Sequence, residues 1–222
     1  MKIHRIIIGI VVIILNSVNT SKGQKQMDMI LLPKIEKTNK SSNISNFEID
    51  EVVFERNSNY QKKKYGSENL KNFEIPTELR KWNSINSNDS VIFVYCPPSP
   101  DVPRRLLITN DAVITYFQDG MYSQIIREFE KINESKYKFK LCHNHSSPYE
   151  DGYIPATLTI INKEKGIAIW EEWRRKEEPI SIFYIKNELI DQINLVKNKE
   201  GIMGNLEYSF DNELLKEMKN YR

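Results

Sequence analysis

The sequence predicts an α+β fold: a curved antiparallel β-sheet of about five to seven hairpin-connected strands, covered on one face by two or three helices. Three observations predict it. Short β-branched and aromatic runs follow one another from Val91 onward, and two pairs of them bracket tight turns at Asn110-Asp111 and Lys163-Glu164-Lys165. Strands joined so closely are antiparallel, because a parallel neighbour needs a long crossover. Apolar residues then recur at helical period in Tyr122, Ile125, Ile126, Phe129 and Ile132, and again in Phe210, Leu214, Leu215, Met218 and Tyr221.

Along the chain, Lys2 and Arg5 precede an apolar run from Ile6 to Leu15, and small or polar residues follow. That order is a secretory signal peptide, expected over 1–23 with cleavage before Gln24. The apolar run is too short for a bilayer core, which takes about 20 residues of helix. The membrane is therefore met only in transit. Residues 24–90 read as a partly flexible segment. Within it, Phe47–Phe54 reads as a short strand, 57–69 as a polar loop, and Pro76–Trp82 as a short helix.

Residues 91–222 read as the compact α+β domain. Val91–Tyr95 is a buried strand stopped by Cys96-Pro97-Pro98-Ser99-Pro100. Arg104–Thr109 and Ala112–Phe117 form a hairpin, since Asn and Asp tolerate left-handed backbone. A helix is expected across Tyr122–Ile132. Tyr137–Leu141 alternates and reads as a half-buried strand. Ala156–Asn162 and Gly166–Trp173 make a second hairpin, Ile180–Ile185 another strand, and Asn187 caps a helix through Val196.

Three of the 32 basic residues lie in the signal, which leaves 29 against 30 acids, a net charge of −1 for the mature chain. Such a chain has no global attraction to a polyanion, and nucleic acid is not an expected partner. The runs Lys62-Lys63-Lys64 and Arg174-Arg175-Lys176 read as solvated faces.

Cys96 and Cys142 are the only cysteines. In an oxidising compartment such a pair is read as one disulfide, which would contribute roughly 4 kcal/mol for so long a loop. Cys142, His143 and His145, with Glu150 or Asp151, are the residues from which a zinc site could be assembled. HExxH and CxxC spacings are absent, so the cluster reads as a polar loop, and no metal or cofactor is expected. Glu171 and Glu172 lie between Trp170 and Trp173, and a carboxylate beside an indole is one way to build a general acid. A glycosidase needs a second, opposed carboxylate, which nothing marks.

Proline-stiffened loops lose little entropy on binding. Pro97, Pro98, Pro100 and Pro103, with Tyr149 and Tyr153 from the other long loop, form the expected contact surface. The sequence therefore predicts an exported protein, periplasmic or extracellular. It binds another protein or an envelope macromolecule without turnover, in the manner of an inhibitor or immunity protein. The alternatives are a small hydrolase using Glu171 or Glu172 and a structural envelope component.

Overall fold

A computed structural model describes residues 36–37, 47–66, 71–88, 91–96, 103–117, 120–143, 148–197 and 212–220. The expected signal peptide lies outside these residues, as do Pro97, Pro98, Pro100 and His145. The elements in chain order are β1 (Glu36–Lys37), α1 (Glu51–Tyr65), β2 (Lys81–Ser84), β3 (Asn86–Asn88), β4 (Val91–Cys96), β5 (Arg105–Ile108) and β6 (Ala112–Phe117). They continue with β7 (Gly120–Asn133), β8 (Lys136–Leu141), β9 (Ile154–Asn162), β10 (Ile167–Glu172), β11 (Ile180–Lys186), β12 (Asn194–Lys197) and α2 (Glu213–Asn220). Short 3-10 turns occupy Thr77–Leu79 and Asn187–Gln192.

The architecture corrects the α+β expectation. Eight strands close into an antiparallel barrel in the order β2-β5-β6-β7-β8-β9-β10-β11, and β11 returns to β2. The other four form a side sheet, β1-β12-β4-β3, in which β12 and β4 run parallel. A sheet covered by helices needs one apolar face, whereas several strands here bury both. In β10, Ile167 to Trp170 are all buried. Alternation sends Ala168 and Trp170 into the barrel, and Ile167 and Ile169 outward onto a second cluster. That second cluster joins the outer wall of β10 and β11 to Ile85 between β2 and β3, to Val94 and Leu195 of the side sheet and to Leu215 of α2.

The barrel interior is filled by side chains, as expected for eight strands. Trp82, Leu106, Phe139, Leu158, Trp170 and Tyr184 lie at its centre, and Phe139 and Trp170 meet with ring centroids 5.2 Å apart.

The expected helix over Tyr122–Ile132 is instead β7, the longest strand. Its helical spacing has two causes. Ile125 and Ile126 face opposite sides of the wall and both are buried, so adjacent apolar residues do not mark a helix. The ladder to β8 then slips one residue between Ile126 and Glu128, so that Ile126 faces Leu141 and Phe129 faces Phe139. A β-bulge restores two residues three apart to one face, which imitates an i, i+3 repeat. The helix expected after Asn187 is likewise a 3-10 turn followed by β12.

The reverse error occurs at 47–65, where a strand and polar loop were expected and α1 stands. Asp50 caps its start by accepting the Val53 N–H at 3.0 Å, and Glu51 follows in the first turn. Lys62, Lys63 and Lys64 close the last turn, and Gly66 takes a positive φ of 85° just past it. The buried positions of α1 are Ser58 and Gln61, so the helix has no apolar stripe to read. Ahead of it, Phe47 packs edge-on against Tyr116, at 5.9 Å, on the outer wall of β5 and β6.

Candidate functional site

The strand β10 ends in Glu171 and Glu172, and its alternation separates them. Glu172 follows Trp170 into the barrel, where it is 4% exposed. Its Oε1 accepts from Arg174 Nε at 2.8 Å and from Gln124 Nε2 at 3.1 Å. Glu171 points to the outer face and accepts from Lys219 Nζ of α2 at 2.6 Å. The two carboxylates thus sit on opposite sides of one wall, each neutralised by a cation. A glycosidase requires the reverse, two carboxyl groups facing one cleft.

Around Glu172 the barrel end is polar. Tyr184 is fully buried there, near both Glu172 and Arg104. Its hydroxyl makes no hydrogen bond of good geometry among the described residues. Burial pushes this phenol up to about 12. Burial also pushes Tyr116 up to about 12, against the pull of Arg105. Both groups hold their protons more tightly folded than unfolded. Their contribution to stability is intact below about pH 10 and is lost as pH rises from about 10 to 12. The urea midpoint is expected to fall between pH 8 and pH 11. For Tyr184 the loss approaches about 3 kcal/mol at full ionisation. Tyr184→Phe is expected to remove part of the fall while costing little at pH 7, because the hydroxyl it deletes makes no hydrogen bond of good geometry among the described residues.

At the same barrel end, the Tyr122 and His143 rings meet edge-on at 6.1 Å. His143 is buried, and its carbonyl accepts from Lys64 Nζ at 3.0 Å. Tyr65 Oη lies 3.0 Å from the same carbonyl and 2.8 Å from the Gly152 carbonyl, and it accepts the His143 N–H at 3.2 Å. The Tyr65 ring stacks on Tyr153 at 4.9 Å. Lys140 lies over the same Tyr153 ring, 5.9 Å from its centroid, and bridges Glu128 and Asp151 at 3.2 Å each. Tyr149 is half-buried against the barrel core. Of the expected contact residues the structure therefore joins Tyr153 to α1 through Tyr65, which also holds the His143 backbone. It places Pro103 in a buried position.

Both cysteines are free thiols in the structure, and both are fully buried. The expected bridge is not formed. Cys96 packs in the cluster under the side sheet and lies near Arg105, while Cys142 lies near Arg127, Lys64 and Tyr153. Burial pushes the Cys142 thiol up to about 11, which leaves little thiolate at neutral pH. With both thiols free, Ellman's reagent is expected to find none quickly in the folded chain and two after unfolding in urea. A bridged chain would yield none in either state. Among the described residues no group of three His, Cys, Asp or Glu is placed to hold a metal.

Sequence reasoning missed Gln61, Lys64 and Tyr65, because α1 was read as strand and loop. It also missed Arg104, Lys216 and Lys219. These line a cleft of about 510 Å³ on the barrel side, between β11, the start of β3 and α2.

Fold and site together define a small, filled antiparallel barrel with a side sheet and a polar, helix-braced end. Comparison with protein-family models, with curated proteins and with solved structures finds no match.

Proposed function

We propose that the chain is a non-enzymatic binding protein, exported to the periplasm or exterior. It engages another protein or an envelope macromolecule at the end where α1, His143 and the Tyr149–Tyr153 loop meet. The observation that carries this reading is the state of the β10 carboxylates. Glu172 is tied to Arg174 and Glu171 to Lys219, on opposite faces of the wall. A hydrolase would need one of them poised over substrate. The interior is occupied by Trp82, Phe139 and Trp170, which leaves recognition to the surface. At the α1 end, Tyr65 and Tyr153 stand beside Lys64 and Lys140. Tyrosines with cations at their edges are common in recognition surfaces, since they bring large contact area at low entropic cost. The wall of β7 and β8 carries Glu128, Glu130, Lys136 and Lys138 outward, which suits water and would be costly against lipid. An inhibitor- or immunity-like role fits a protein of this size and build.

The test begins with the intact mass of protein recovered from the exporting cell, where a start at Gln24 is expected. Chemical cross-linking in the exported fraction then compares the wild type with Tyr149→Ala/Tyr153→Ala and with Glu172→Gln. The proposal expects one cross-linked species that Glu172→Gln keeps and the tyrosine variant loses, with thermal midpoints confirming that both fold. Hydrolytic turnover abolished by Glu172→Gln in a folded protein would overturn it.

A further inference from the structure

We propose that the cleft on the barrel side binds a small amphiphilic carboxylate, that is, a carboxylate joined to an apolar chain. This goes beyond the binding surface argued above and lies on a different part of the barrel.

The cleft exists because the wall is incomplete there. β11 pairs with β10 along its length from Ile180 to Ile185. Toward β2 it pairs only from Tyr184 to Lys186, with one further bond from Ile85 N–H to the Phe183 carbonyl at 2.9 Å. Beyond Ser84 the chain leaves the barrel for β3. Among the described residues, the edge of β11 at Ile180–Ile182 therefore has no strand on that side. The opening of about 510 Å³ falls within the range of small-molecule clefts.

Its walls carry charge of one sign. Arg104, Lys216 and Lys219 line it, and among the described residues no carboxylate does. Lys219 is committed to Glu171 at 2.6 Å. Lys216 reaches Glu213 only at 3.9 Å, with both groups well exposed. Arg104 has no carboxylate within ion-pair distance among the described residues. Its guanidinium lies 4.5 Å from the Phe117 centroid, and its Nε is buried without a hydrogen-bond partner. Its polar neighbour is the neutral hydroxyl of Tyr184, so a partly buried guanidinium here gains from an arriving anion, and a carboxylate matches its fork with two parallel bonds.

The remaining wall is apolar. Ile169 and Phe183, both of the outer cluster, face this space, while the Ile182 side chain turns toward the barrel core and Ser181 lies at the open strand edge. A bare inorganic anion would satisfy Arg104 and leave these side chains against water. An uncharged chain would cover them and leave Arg104 unpaired. A carboxylate with a tail does both.

The test titrates the full chain, labelled with nitrogen-15, with three probes: sodium decanoate below its micelle concentration, sodium phosphate and decanol. Decanoate is expected to shift the Ser181, Phe183 and Lys216 amides saturably, at least about tenfold more tightly than either half-probe, since each half lacks one class of contact. Arg104→Gln is expected to weaken decanoate about tenfold or more, on the scale of one lost charge-assisted bond. Lys216→Gln, on an exposed turn of α2, gives a smaller loss in a protein whose folding is not at risk. Tyr153→Ala should bind decanoate like the wild type, which separates this site from the partner surface. No saturable decanoate shift, phosphate binding as tightly as decanoate, or unchanged binding in folded Arg104→Gln and Lys216→Gln proteins would each overturn the proposal.

Discussion

Trp82→Ala is expected to lower folding stability by about 4 to 6 kcal/mol, the largest effect of any single substitution considered. The indole is fully buried, on β2 opposite Leu106 of β5. Truncating a buried tryptophan typically costs about 3–5 kcal/mol, part transfer and part cavity. The second loss is polar. Trp82 Nε1 donates to the Leu79 carbonyl at 2.7 Å, where Leu79 is itself fully buried. Alanine leaves that carbonyl without a partner, at a further cost of about 1–3 kcal/mol, part of which relaxation or an entering water recovers. Domains of ordinary stability have about 5–15 kcal/mol in all. Urea unfolding followed by far-ultraviolet circular dichroism checks the value. Trp82→Phe is expected to lose only about 1–2 kcal/mol, because it keeps most of the volume and forfeits the hydrogen bond. Equal losses from the two variants would mean that the hydrogen bond, and not the packing, dominates.

The hairpins were legible in the sequence because their turns are local. Asn110-Asp111 and Lys163–Lys165 announce themselves, and the ladders β5–β6 and β9–β10 form around them as expected. Closure of the barrel was not legible. It depends on β11 returning to β2, a pairing about a hundred residues apart in sequence, and β2 was read as the end of a short helix. Double-faced burial erased the alternation that would have marked β7 as a strand, and its bulge supplied a false helical period. For α1 the signs were present at the ends, in Asp50, Glu51, the three lysines and Gly66. They were outweighed because the buried face is made of Ser58 and Gln61.

The candidate site was legible to the same degree and for the same reasons. Alternation within β10 is enough to put Glu171 and Glu172 on opposite faces. Of their partners only Arg174 is local: Lys219 comes from α2, and the neutral amide of Gln124 from a strand that imitated a helix. Tyr153 was singled out as a contact residue, yet the group that orients it, Tyr65, lies 88 positions earlier on a helix that periodicity could not reveal. Arg104 was seen only as the start of a strand. That it has no ion-pair partner among the described residues goes with the gap between β11 and β2.

Gln61→Leu is expected to cost about 2–5 kcal/mol and to loosen the whole α1 end. Near Ser123–Ile125 one edge of β7 lies beyond the reach of β8, whose register begins at Ile126 opposite Leu141. A bare strand edge inside a closed wall must find partners. The Gln61 amide supplies them as one rung of a strand would: Nε2 donates to the Ser123 carbonyl at 2.8 Å, and Oε1 accepts the Ile125 N–H at 2.7 Å. Leucine fills similar space and leaves both backbone groups buried and unpaired, at about 1–3 kcal/mol each. Gln61→Glu should not rescue, because it keeps the acceptor for Ile125 and sets an oxygen against the Ser123 carbonyl. Hydrogen exchange separates this anchor from general destabilisation. In Gln61→Leu the Ile125 amide should exchange much faster than amides in β9 and β10. The Tyr65–Tyr153 stack should loosen with it, since Tyr65 ends the same helix. Uniform acceleration across the barrel would instead mean that α1 and the barrel unfold as one unit. The binding surface would then be as rigid as the core beneath it.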